Sequence, residues 1–224
     1  MMKILAVDSS SISASAAIYS DGKILHEEFL NNGLTHSENL LPIIEKVFNQ
    51  SSLEVSDMDY LAITIGPGSF TGLRIGMATI KAFSSAFDIP CVGVSTLRAL
   101  YMPYSDTEKT LCCVLDARCS QVYCALFKKG ERLLEDSAMH TDDLLNILKE
   151  HNEIILTGDG AQMCYEKFKD KMNVSLGNEL LVKASGIAKY AVKNLNKAVS
   201  AEDLYPVYLR LPQATRELLK KTKT

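Results

Sequence analysis

The sequence predicts an α/β protein of two lobes made by internal duplication. Three observations predict it. The order strand, strand, strand, helix, strand, helix occurs twice along the 224 residues. Each copy opens with an apolar strand that ends in an aspartate, Asp8 in the first and Asp116 in the second. The fourth strand of each copy runs into a glycine-bearing turn and a helix start, at residues 66–69 and 158–160. A tandem α/β unit is the simplest source of such a pattern. Two lobes side by side leave a cleft between them.

In the first copy, residues 3–7 are an apolar strand, residues 9–11 a serine run, and residues 12–19 a second strand. Asp21-Gly22 is a hairpin signal, and residues 23–30 alternate as a third strand. Thr35-His-Ser-Glu38 fits a capping box for a helix to about Gln50. Its apolar stripe reads Leu40, Leu41, Ile44, Val47 and Phe48, with Ile43 outside it, and Pro42 predicts a local kink. Residues 60–65 are a strand, Gly66, Pro67 and Gly68 force a turn, and Thr71 is a good N-cap for a helix to Phe87. A strand over 91–94 and a helix capped by Ser95-Thr96 follow.

The second copy starts near Thr110. Strands are predicted over 111–115, 121–128 and 131–139, with Gly130 as a turn. Thr141 opens a helix to about His151, residues 154–156 form a buried strand, and helices cover about 161–168 and 183–195. The predicted lobes are residues 1–106 and 107–224.

The helix after Thr71 is unusual. Its only charges are Arg74 and Lys81. Leu73, Met77, Ile80, Ser84 and Phe87 make one stripe, and Ile75, Ala78, Thr79, Ala82 and Ala86 make another. An ordinary surface helix has a wide polar face, so this one is expected to be covered on two sides. Its own sheet can cover one. The other is left for a neighbouring helix or a second protein, and Gly68, Gly72 and Gly76 would let a partner helix come close.

Composition is that of a soluble globular chain, 47% hydrophobic and 23% charged. A net charge of −3 gives no footprint for nucleic acid, and Lys220, Lys221 and Lys223 read as a solvated end. Six cysteines without a CxxC pair read as reduced core residues of a cytoplasmic protein. The four histidines form neither HxxxH nor HExxH, which argues against a helical metal site. No apolar run reaches membrane-spanning length, and no signal peptide precedes the first strand.

Asp8 and Asp116, each at a strand end, suit Mg–phosphate coordination across the cleft, with backbone donors from Gly66, Gly68 and the 158–160 turn. As single residues they fit turn formers bonded to local backbone better, and it is the two in register that point to nucleotide binding. The glycine segment is neither a P-loop nor GxGxxG. Ser69 lacks the second glycine of a GxSxG elbow, so no nucleophile stands out.

Several segments in order resemble the TsaB family, also called YeaZ. They are Ala6-Val-Asp-Ser-Ser10, Thr35-His-Ser-Glu-Asn-Leu-Leu-Pro42, Gly66-Pro-Gly-Ser-Phe-Thr-Gly-Leu-Arg-Ile-Gly76, Val92-Gly-Val-Ser-Thr-Leu97, Asp116-Ala-Arg118, Gly158-Asp-Gly-Ala161 and Pro206-Val-Tyr-Leu-Arg210. The catalytic paralogue TsaD carries HxxxH, whereas Leu40 stands four residues after His36 here. The resemblance implies a duplicated actin/Hsp70-like (ribonuclease H-like) fold with a degenerate nucleotide cleft at Asp8, Ser9, Gly66, Gly68 and Asp116. It implies no catalytic residue, no metal, and no cofactor beyond weakly held ATP or ADP with Mg at the cleft or at a complex interface. It also implies a scaffold and activator role in forming N6-threonylcarbamoyladenosine on tRNA. The chain would pair with a TsaD-like subunit, recruit a TsaE-like ATPase, depend on a TsaC-like synthase, meet tRNA indirectly and form a homodimer when alone. The pairing surface would comprise Thr35, His36, Leu40, Leu41 and Ile44 on one helix and Gly72, Leu73, Arg74, Gly76, Met77 and Ile80 on the next. A competing expectation is a free-standing ATPase or sugar-kinase-like enzyme of the same fold.

Overall fold

The computed structural model describes residues 2–210; the lysine-bearing end lies outside them. The first sheet holds β1 (Lys3–Asp8), β2 (Ala14–Ser20), β3 (Lys23–Leu30), β4 (Tyr60–Gly66) and β5 (Cys91–Ser95) in the order β3-β2-β1-β4-β5. The second holds β6 (Thr110–Asp116), β7 (Gln121–Lys128), β8 (Glu131–His140), β9 (Ile154–Thr157) and β10 (Val174–Leu176) in the order β10-β9-β6-β7-β8. The two orders are the same when read from the first strand of each copy. In both, the first three strands form an antiparallel meander and the last two add in parallel. The duplication is therefore structural, and the fold class read from the sequence holds.

Helices α1 (His36–Ser51), α2 (Phe70–Phe87), α3 (Thr96–Tyr101), α4 (Thr141–Leu148), α5 (Ala161–Phe168) and α6 (Ala184–Ala191) complete the chain. Their apolar faces build three cores. One lies under α1 and α2, and another under α4 and α5. The third is shared by both sheets. Into it α3 brings Leu97 and Leu100 against β6 and β7, while α6 brings Ile187 and Ala188 against β1 and β2. A cut between residues 106 and 107 separates the two sheets but not their cores. Each half lends a helix to the other, and the chain after residue 182 returns to the first lobe. No helix among the described residues is long and apolar enough to cross a membrane.

Local differences from the sequence reading have local causes. β2 starts at Ala14, because residues 11–13 are taken up by the loop after Asp8. β10 is three residues long and was not anticipated, since so short a strand has no readable period. In α1 the stripe is Leu40, Ile43, Ile44, Val47 and Phe48, and Leu41 is 54% exposed. Ile43 and Leu41 thus exchange their predicted places. The helix runs on through Pro42.

Candidate functional site

Two surfaces stand out, the cleft between the lobes and the outer side of α1 and α2. The cleft encloses about 410 Å³. Ser10, Gly68, Ser69 and Thr71 line its first-lobe side, and Asp116, Arg118 and Asp159 its second-lobe side.

Asp8 ends β1 as predicted but does not reach the cleft. It is fully buried. Its Oδ1 accepts hydrogen bonds from the Thr64 hydroxyl at 2.6 Å, the Ser10 hydroxyl at 2.6 Å and the Ser10 amide at 3.1 Å. Its Oδ2 is buried without a partner. Burial raises the carboxyl above its ordinary value of 3.8, against the lowering effect of those hydrogen bonds. Asp116 does stand at the cleft, and its Oδ1 accepts the Arg118 amide at 2.7 Å in a local turn. Asp159 was missed as a side chain, although the turn that carries it was read. Its Oδ1 accepts the Asp116 amide at 2.9 Å. Burial, and then the neighbouring charges of Asp116 and Asp8, raise its pKa.

The N-cap after the glycine turn differs from the predicted one. The helix start is capped by Ser69, whose Oγ accepts the Gly72 amide at 3.2 Å, and Thr71 lies inside the first turn. The Ser69 amide donates to the Ser10 carbonyl at 2.7 Å, and the Gly160 amide to the Val114 carbonyl at 3.2 Å. Two of the backbone donors expected to meet a phosphate, the Ser69 and Gly160 amides, are thus engaged inside the protein. The glycines serve close packing of the chain on itself. A Cβ on Gly68 would overlap the Ser10 carbonyl, one on Gly72 the Ser9 carbonyl, and one on Gly76 the Ser9 hydroxyl. That hydroxyl donates to the Gly72 carbonyl at 2.9 Å. The loop after β1 therefore occupies the groove that the sequence reading reserved for a partner helix. Gly66 has φ +118°, and a Cβ there would overlap the Val207 carbonyl.

His36 begins α1 and is half-buried over the same loop. Its Nε2 donates to the Ser11 carbonyl at 2.8 Å, while Nδ1 is buried without a partner. Leu40 fills the position one turn on, inside the core. Among the described residues, no three His, Cys, Asp or Glu side chains gather as a metal site.

The outer side of α1 and α2 carries a largely apolar groove, with Glu45, Asn49 and Glu54 also in its lining. Leu41, Phe48, Leu53, Val55 and Phe83 line a groove of about 380 Å³ between the helices. Of the residues expected at a pairing surface, Thr35, Leu41 and Arg74 are exposed and His36 is half-buried. Leu40, Ile44, Gly72, Leu73, Gly76, Met77 and Ile80 are buried against their own lobe. The stripe of α2 left open is the other one. Ala78, Ala82 and Ala86 are exposed, and Ile75 and Thr79 are half-buried. Periodicity found both stripes but did not say which faced the sheet.

The family model for tRNA N6-adenosine threonylcarbamoyltransferase (TsaD) matches residues 31–218. The chain is 27% identical over 231 residues to the tRNA threonylcarbamoyladenosine biosynthesis protein TsaB of Bacillus subtilis strain 168, covering 99% of this chain and 100% of that one. It is 31% identical over 168 residues to TsaB of Buchnera aphidicola subsp. Schizaphis graminum, covering 70% of this chain and 78% of that one. Among solved structures, YeaZ from Pseudomonas aeruginosa superposes with a TM-score of 0.79 at 24% identity, over 93% of this chain and 100% of that one.

Proposed function

Because the chain belongs to the TsaB (YeaZ) branch of the TsaD-type family of tRNA threonylcarbamoyladenosine proteins, we propose that it acts in forming threonylcarbamoyladenosine on tRNA as a non-catalytic activating subunit. Its role is to pair with a TsaD-type catalytic subunit and help bring a TsaE-type ATPase to the pair. The observation that carries the reading is the uncovered apolar surface of α1 and α2. Leu41 stands out from the groove, and the small-residue stripe of α2 lies beside it. Contiguous apolar surface of this kind marks an interaction site, and small side chains let two helices approach closely. The sequence adds a second support. A catalytic paralogue uses paired histidines on the corresponding helix, and here the second position is Leu40.

The test is a titration of the chain with the TsaD-type protein from the same organism. Leu41→Asp and Ala82→Glu are expected to weaken pairing by at least about tenfold, near 1.4 kcal/mol, with unfolding stability within about 0.5 kcal/mol of wild type. Wild-type affinity in both variants would remove α1 and α2 as the pairing surface.

A further inference from the structure

The C-terminal part of the described chain is not used by any role assigned so far. Leu204 is buried in the first-lobe core. From there residues 205–210 run across the glycine turn to the second lobe. Tyr205 lies under the Lys81 ammonium, 4.9 Å from its ring centroid. The Val207 amide donates to the Ile65 carbonyl at 2.7 Å, and its own carbonyl sits where a side chain at Gly66 would be. Tyr208 stacks on Phe70 with centroids 4.3 Å apart and planes 7° from parallel. The Tyr208 hydroxyl accepts a hydrogen bond from Arg74 Nε at 3.1 Å. Leu209 packs on the core shared by the sheets. Finally the Arg210 guanidinium donates to the Ala117 carbonyl.

The two ends of this strap meet the two walls of the cleft. Phe70 lines the first-lobe wall, and Ala117 lines the second beside Asp116 and Arg118. Ala117 is fixed in turn, because its amide donates to the Gln121 carbonyl at 3.0 Å. On the first lobe the strap is held by a buried leucine, a backbone hydrogen bond, a ring stack and a side-chain hydrogen bond. On the second, among the described residues, its hydrogen bond is the one from the Arg210 guanidinium, with Leu209 packed on the core that both sheets share. We infer that residues 204–210 are an inter-lobe latch. Seated, the strap fixes the opening of the cleft; released at Arg210, it lets the lobes move about the shared core of α3 and α6. The asymmetry of its anchors makes Arg210 the end that releases. The same strap caps Phe70 and Arg74 at the start of α2, so the state of the cleft is mechanically joined to the outer surface of that helix. This inference concerns the geometry of the chain alone and stands apart from the partner assignment.

The chain supplies its own probe position. Cys119 is exposed on the second-lobe loop beside the cleft, and the other five cysteines are buried. A spin label there and a second at Ile12→Cys, a residue 59% exposed on the opposite wall, report the width of the cleft by pulsed dipolar spectroscopy. Wild type is expected to give one narrow distance distribution. Arg210→Ala and Tyr208→Ala are each expected to broaden it and move it to longer distances, with far-ultraviolet circular dichroism unchanged. Arg210→Lys, which keeps a donor and a charge, is expected to restore part of the narrow population. A shift in either alanine variant that folds supports the latch. A wild-type distribution in every alanine variant that folds would overturn it.

Discussion

The Thr64 hydroxyl and Asp8 Oδ1 meet at 2.6 Å in a site from which solvent is excluded. Thr64 is on β4 and Asp8 ends β1, so the bond joins neighbouring parallel strands one residue past their last paired residues, Val7 and Ile63. Three donors converge on one carboxylate oxygen while the other has none.

That imbalance gives a pH prediction. The folded-state pKa of Asp8 is raised above 3.8 by burial. A group raised in this way favours the folded state when protonated. Its contribution is complete below 3.8 and is lost as pH rises through the raised value. Asp8→Asn keeps the acceptor oxygen and removes the charge. Urea unfolding of the two proteins across pH is expected to show the asparagine variant gaining on wild type as pH rises from 3.8. Asp8→Ala removes the acceptor altogether and is expected to cost about 1–3 kcal/mol below pH 3.8 by orphaning the Ser10 and Thr64 donors, a deficit that shrinks as pH rises because alanine, too, lacks the titrating group. Parallel pH profiles for wild type and Asp8→Asn would contradict the raised carboxyl.

On α2 the structure separates variants that unfold from variants that unpair. Ile80 has no exposed surface. Ile80→Asp is expected to lose more than about 4 kcal/mol by burying an unpaired charge. Gly76→Leu is expected to be comparably damaging, because the Ser9 hydroxyl and Ile63 leave no room for a side chain. Chemical denaturation decides. Native stability in either variant would mean that α2 presents the opposite stripe to its sheet.

The cysteines give a third prediction. Cys124 and Cys164 are pushed up to about 12 by burial, and Cys112 and Cys113 rise for the same reason. Cys91 is buried and raised as well. A thiolate-specific reagent at pH 8 is expected to react quickly with one equivalent in the native protein, at Cys119, and with all six after unfolding. Two or more fast equivalents in the native state would show that a core holding one of the buried cysteines opens readily.

Much of the fold was legible in the sequence, and the reason is local. Strand and helix periods, the capping box at Thr35 and the turn at Asp21-Gly22 are set by residues close together in the chain, and the repeat of the pattern gave the duplication. The Thr35 box is present as read, with the Thr35 amide donating to Glu38 at 3.0 Å. The site was less legible because it depends on distant approaches. Nothing near Gly72 says that Ser9 will lie against it. Nothing near Asp8 says that Thr64 will close it off. The exchange of α3 and α6 between sheets likewise leaves no local mark. A nearer signal existed for Ser69, which stands three residues before Gly72 at the spacing of an N-cap bond.

For the cleft we predict weak nucleotide binding. The Ser69, Gly72 and Gly160 amides are already engaged, and Asp116 and Asp159 set two carboxylates against a phosphate chain. Calorimetric titration with ATP or ADP is expected to give a Kd no tighter than about 1 mM, equivalent to 4.1 kcal/mol. Mg is expected to improve binding, since only a cation can reconcile those carboxylates with phosphate. Micromolar binding without Mg would contradict this picture of the cleft.

The most direct measurement of the proposed activity is an omission assay. TsaC-, TsaD- and TsaE-type proteins of the same organism are incubated with ATP, threonine, bicarbonate and unmodified tRNA, with and without this chain, and threonylcarbamoyladenosine is quantified in the tRNA. Product is expected only when the chain is present, and is expected to be lost with Leu41→Asp at concentrations that saturate wild type. Equal product with the chain left out would contradict the proposed activity.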